Sequence, residues 1–181
     1  MLELVSHPNT RAIIEAWRRL SRGDALPGEG PVERDYPDLV GKLFILQRTS
    51  SSDLVFRVAG ADLEKLIGRE LADHNFLSLW RPSDKLLVSA TIDAAIAENA
   101  PVLVQGAGGT LDGRQLKVEI AMAPLDARAS SRPRILGLYQ PLFDVGRLRG
   151  RPIWRHEATG LFPPRAERPT APIRLVASND I

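Results

Sequence analysis

The 181 residues include no cysteine, which excludes disulfides, a Cys-ligated zinc, a cysteinyl-flavin adduct and a thiol nucleophile. A chain of this length buries one core of ordinary size with appendages rather than two full domains. The formal charge of +2 is split: from residue 147 onward seven Arg stand against Glu157, Glu167 and Asp180, so the tail carries +4 and residues 1–144 carry −2, and a slightly acidic body makes a poor nucleic-acid surface.

The N-terminal stretch, MLELVSHPNTRAIIEAW, lacks the basic-then-apolar order of a secretion signal. No stretch approaches the roughly 20 apolar residues of a membrane span, so a cytoplasmic protein is expected. Ile13, Ile14, Trp17 and Leu20 recur at helical spacing, with Arg11, Glu15, Arg18, Arg19 and Arg22 largely on the other face. Asn9 or Thr10 is placed to cap this helix and Gly23 to end it. Pro27, Pro31 and Pro37, with three Gly among residues 24–41, break helical and strand patterns and read as an ordered connector.

Leu43 to Gln47 is a first strand, and the polar turn from Thr49 to Asp53 leads to its antiparallel partner, Leu54 to Ala59. That strand stops at Gly60. Leu63, Leu66 and Ile67 then mark a short helix ended by Gly68, Asn75 to Trp80 reads as one helical turn, and Ser83 is placed to cap a long helix that runs to about Asn99. Leu87, Thr91, Ala94 and Ala95, together with Val88, Ile92 and Ile96, give that helix an apolar band wide enough to lie on a sheet.

Past Pro101, Val102 to Gln105 begins a strand, Asp112-Gly113 signals a hairpin, and Gln115 to Ala123 alternates so regularly that its register is readable. Leu116, Val118, Ile120 and Met122 face one side; Gln115, Lys117 and Glu119 face the other, where Lys117 and Glu119 are expected to form a solvated charge pair. Arg134 to Gln140 is the last strand. Two strands, several helices and three strands permit an α+β fold in which one five-stranded antiparallel sheet carries the short helices and the long helix on a single face.

Phe56-Arg57-Val58-Ala59-Gly60, Leu66-Ile67-Gly68-Arg69-Glu70-Leu71 and Leu77-Ser78-Leu79-Trp80, in that order and spacing, resemble a PAS domain over about residues 42–142. With the flanking helix and connector, the chain resembles an alphaproteobacterial family of small stand-alone PAS-like proteins. Three parts follow: an N-terminal helix and Pro-rich connector (1–41), a PAS-like core (42–144), and an Arg/Pro-rich tail (145–181) expected to be partly disordered, with apolar pieces such as Ile153-Trp154 and Leu161-Phe162 that can dock on the body. The resemblance implies a non-enzymatic sensory or interaction module acting in trans on a histidine kinase or another signalling protein of cell cycle, motility or stress. In such folds a small ligand lies between the inner sheet face and the helices. Here the walls of that pocket would be Phe56, Val58, Phe76, Trp80, Leu87, Val118, Ile120 and Met122, so a bound molecule would be hydrophobic.

The chemistry-bearing residues add little to this. His7, His74 and His156 are not at metal-ligand spacing, and none belongs to a nucleophile motif. Gly106-Ala107-Gly108-Gly109 runs into a hairpin, whereas a phosphate loop must join a strand to a helix N-terminus, so it reads as flexible or bulged strand. Haem and flavin are both disfavoured and the cofactor is unknown: the long helix has no His, and His74 is only the nearest substitute for a haem ligand. A small-molecule enzyme using the same shell is the alternative; it requires carboxylates such as Asp62 or Asp93 turned inward. Self-association is expected through Ile13, Ile14, Trp17 and Leu20. The competing outcome folds this helix over the outer sheet face that bears Lys117 and Glu119.

Overall fold

The computed structural model describes residues 6–21, 36–125 and 132–164. Pro8 opens the first helix, α1 (Pro8–Ser21); a proline suits the first helical position because the N–H it lacks would have had no partner there. His7, rather than Asn9 or Thr10, caps the helix. Its Nδ1 accepts from the Asn9 N–H and its carbonyl from the Arg11 N–H, each at 3.1 Å. The expected stop at Gly23 and most of the Pro-rich connector lie outside the described residues.

A 3-10 turn (Pro37–Lys42) leads into β1 (Leu43–Arg48) and β2 (Leu54–Ala59). Helix α2 (Ala61–Ile67), a second 3-10 turn (Phe76–Leu79) and the long helix α3 (Pro82–Glu98) follow. Ser83 does not cap α3: Pro82 occupies the first turn and Ser83 Oγ donates instead to Asp84. The chain then forms β3 (Val102–Gly109), β4 (Gln115–Leu125), β5 (Arg134–Pro141), a 3-10 turn (Val145–Leu148) and β6 (Arg155–Phe162).

The sheet therefore has six strands rather than five, in the order β2-β1-β5-β4-β3-β6, with every neighbouring pair antiparallel. The extra strand comes from the stretch that the sequence assigned to the tail. Ile153 anchors its approach, since it is buried and its N–H donates to the Leu66 carbonyl at 2.8 Å. Gly106 to Gly109 belong to β3 itself, with a register irregularity at Gln105/Gly106 opposite β6. Residues 165–181 lie outside the described residues.

The inner sheet face and the helices enclose the main core. Val88, Ile92 and Ala95 of α3, Leu63 and Ile67 of α2, and Leu116, Val118, Ile120 and Met122 of β4 all belong to it. On the outer face α1 lies over the sheet: Ile13 and Ala16 pack with Leu39 and Leu138, and Ile14 with Leu103 and Ala121. Trp17 is buried too, and its Nε1 donates to the Pro124 carbonyl at 2.7 Å. The stripe expected to form a dimer seam is therefore covered by the chain's own sheet, so Ile13, Ile14 and Trp17 have no face left for a second copy. For Leu20 the side chain lies outside the described set. Burying such a stripe stabilises by several kcal/mol at about 25 cal/mol per Å² of apolar area, and an intramolecular contact gains this without the entropic cost of association.

The same helix changes the reading of Glu119. Alternation between buried and exposed residues holds only at the start of β4; from Val118 to Pro124 both faces are buried. Glu119 is fully buried rather than solvated, and it is not paired with Lys117. Its Oε1 accepts from the His7 N–H at 2.9 Å and its Oε2 from Gln105 Nε2 at 3.4 Å, so a carboxylate meets the N-terminal end of α1, where the helix dipole favours negative charge. Asn9 Nδ2 donates to Gln140 Oε1 at 2.9 Å beside it. At the other end of the helix, Trp17→Phe keeps an aromatic ring, though a smaller one, but leaves the buried Pro124 carbonyl without its donor. A loss of about 1–2 kcal/mol is expected in urea unfolding; an unchanged midpoint would mean that this bond contributes nothing to holding α1.

Candidate functional site

The positions nominated as pocket walls divide in two. Phe56, Phe76, Trp80, Val118, Ile120 and Met122 come together in the main core, all at most 2% exposed. Val58 and Leu87 do not, being 55% and 56% exposed. A register shift between Ile45 and Leu46 interrupts the pairing of β1 with β2, and beyond it Arg57 and Val58 are both exposed, so a count by twos from Phe56 misplaces Val58. On α3 the sheet-facing row is Val88, Thr91, Ile92 and Ala95. Leu86 and Leu87 lie off that row and face solvent.

Aromatic rings fill the inner face. Phe44, Phe56 and Phe76 pack with centroids 5.7–5.9 Å apart, and Phe76 meets Trp80 edge-on at 6.0 Å. Missing side chains on the strands make the room. A Cβ on Gly137 would lie 2.1 Å from the Phe44 ring, one on Gly106 would lie 3.3 Å from the Trp80 ring and 2.9 Å from the Glu157 carbonyl, and one on Gly108 would lie 2.9 Å from Ile153. The glycine run is thus a strand shaved on its inner side so that large residues can cross it.

The row of rings ends on a histidine. His156, on β6, is 1% exposed, with its ring 5.3 Å from that of Trp80 and 5.6 Å from that of Tyr139 on β5. Its Nε2 lies 2.7 Å from Tyr139 Oη and its Nδ1 3.2 Å from the Leu79 carbonyl. A carbonyl can only accept, so Nδ1 carries the proton and Nε2 accepts from the Tyr139 hydroxyl. Burial holds both groups neutral: it lowers the His156 pKa to about 4 and pushes the tyrosine further above its ordinary value. Trp80 Nε1 is buried without a partner among the described residues.

His156 was the residue that sequence reasoning missed. It stands between Pro152 and the Pro163-Pro164 pair, in a stretch whose composition resembles a tail, and its one local signal was the alternation of Arg155-His156-Glu157-Ala158. Its place follows from contacts far away in the chain. The Arg81 N–H donates to the His156 carbonyl at 2.9 Å, and Asp84 Oδ2 accepts from the Ala158 N–H at 2.9 Å, which fastens β6 to the start of α3.

A PAS domain family model matches residues 5–140 of this architecture. The chain belongs to the PAS domain family. A search of curated proteins finds no match. PAS domains are sensory or interaction modules, and in this one the matched range takes in α1 and the first five strands. Strand β6 and His156 fall outside it, so the core of this PAS domain is completed by a strand beyond the matched range.

The residues do not suit haem. His74 is exposed, with Nδ1 3.0 Å from the Ala72 carbonyl, and both ring nitrogens of His156 are engaged. The carboxylates that an enzymatic reading required also lie elsewhere. Asp62 is exposed on α2, and Asp93 forms an ion pair with Arg48 at the surface. Among the described residues no group of three or more His, Cys, Asp or Glu is gathered to hold a metal, and no helix is long and apolar enough to cross a membrane.

Proposed function

We propose that this PAS domain is a cytoplasmic signalling module acting in trans on bacterial signalling proteins, with histidine kinases of cell cycle, motility or stress control as the first candidates. The observation that carries the reading is that β4 and β5 serve two faces at once. Val118, Ile120, Met122 and Tyr139 point into the aromatic core, while Glu119, Ala121, Leu138 and Gln140 on the same strands hold α1. Protein interiors pack at crystal-like density, so a displacement of the core rings by a partner or a small hydrophobic ligand moves strands that also seat the helix. Helix α1 is then the element a client would read.

Cross-linking in native bacterial cytosol followed by capture of the tagged full chain tests this. Recovery of a histidine kinase or another signalling protein is expected, with Trp17→Ala, which loosens α1, changing that recovery about fivefold or more. Capture without any signalling protein would sink the reading, and recovery indifferent to Trp17 would remove α1 from it. Native mass spectrometry of the purified chain checks the ligand separately: a bare polypeptide mass is the expected result, given rings already in contact.

A further inference from the structure

The face opposite the aromatic core carries a second feature, at the hairpin end of β4. Arg114, Gln115, Lys117, Phe143 and Arg147 line an open recess of about 490 Å³, within the roughly 300–1,000 Å³ of small-molecule clefts. Gln115 and Lys117 alternate with the buried Leu116 and Val118, which places them on the outer face, beyond the N-terminal end of α1. The bond from the Leu142 N–H to the Lys117 carbonyl, 2.9 Å, seats the segment carrying Phe143 and Arg147 alongside them.

Two properties distinguish this recess from an ordinary solvated surface. The first is charge. Three cations line it, and the nearby acidic groups are already engaged: Asp112 with Thr110 and Arg114, Asp144 with the Gly146 N–H at 2.9 Å, and the buried Glu119, two residues beyond Lys117 on β4, with the His7 N–H. Among the described residues Lys117 and Arg147 have no carboxylate within ion-pair reach. The second is an aromatic face. Phe143 is 49% exposed, and the Arg147 guanidinium lies over its ring at 5.2 Å from the centroid, so a planar group can stack on a phenyl or a guanidinium while ammonium and guanidinium groups reach its charge.

We propose that this recess binds a nucleoside phosphate, with the base stacked at Phe143 and Arg147, its edge within reach of the Gln115 amide, and the phosphates held by Lys117 and Arg114. An inorganic anion would leave Phe143 unused. An uncharged aromatic would leave Lys117, which has no carboxylate in reach among the described residues, without a counter-charge. The site is separate from the inner core, so its failure leaves the trans-acting reading standing.

Calorimetric titration of the full chain with ADP, adenosine and inorganic phosphate, accompanied by amide chemical-shift mapping, tests the proposal. ADP is expected to bind with a Kd below about 1 mM and to shift residues 114–117 and 143–147, with phosphate and adenosine each at least about tenfold weaker. Lys117→Glu with Arg147→Glu should weaken ADP by about tenfold or more, and raised salt should do the same. Phe143→Ala should weaken ADP about fivefold or more while leaving phosphate unchanged, since the base loses the aromatic face it stacks on. No ADP binding near 1 mM, phosphate binding as tightly as ADP, or shifts confined to other residues would each overturn it. The wild-type shift map decides the location even where a variant folds poorly.

Discussion

Gly137→Ala is expected to destabilise the domain by about 3 kcal/mol, the upper end for overpacking a core, although it adds one methyl group. The new Cβ would lie 2.1 Å from both Cε2 and Cζ of Phe44 and 2.7 Å from Cε1. Phe44 cannot swing aside, because it is 1% exposed and its ring is held between Phe56 and Phe76. The strand cannot yield easily either, since Gly137 pairs with Phe44 on one side and with Met122 on the other. Urea unfolding of Gly137→Ala, Phe44→Leu and the double variant separates this clash from a general weakness of β5. Each single change should cost stability, and the double variant should be more stable than their sum by about 1–3 kcal/mol, because leucine vacates the space the methyl group needs. Strict additivity would show that Gly137 is needed for the strand and not for the ring.

The parts of this fold that could be read from the sequence are those set by short-range rules. Alternation from Leu116 to Met122, the Asp112-Gly113 turn and the helical spacing around Leu63 and Val88 each depend on neighbours within a few residues, and they placed the inner face correctly. The errors share a different cause. Glu119 looked solvated because alternation reports which face a side chain is on, but not what covers that face, and the cover is a helix 112 residues away in the chain. Val58 was misplaced by an irregularity in pairing that leaves no local trace, and Leu87 by choosing one of two overlapping helical rows. Strand β6 was hidden because composition was read as a property of the whole tail, whereas seven residues within it pair with β3, whose second half, Gly106 to Gly109, has almost no side chains to advertise the contact.

The last expected result joins that strand to solution behaviour: acidification from about pH 6.5 to pH 4 should remove roughly 3 kcal/mol of stability through His156 alone. The native histidine has its pKa lowered to about 4 by burial against a value of 6.5 when exposed. Between these two values the unfolded chain binds a proton that the native chain does not, so stability falls as pH falls and is fully retained above about 6.5. The shift of about two and a half pH units corresponds to roughly 3 kcal/mol. Other groups titrate in the same window, so the comparison that isolates His156 is with His156→Gln, which occupies similar space without titrating. Urea unfolding of both proteins at intervals from pH 7 to 4.5 should give a wild-type slope steeper than that of the variant by about one proton. Tyr139 stays neutral throughout, since its own pKa is raised by burial; the Arg81–Glu157 ion pair and Asp84, which flank His156 on β6 and α3, are present in both chains and cancel. Imidazole resonances of the native wild type supply an independent reading and should remain in the neutral, Nδ1-protonated form to near pH 4. Titration near 6.5 would mean that the histidine is solvated and that β6 does not close the core at that point, whereas equal slopes in wild type and variant would mean that the unfolded state gains no proton there relative to the native one.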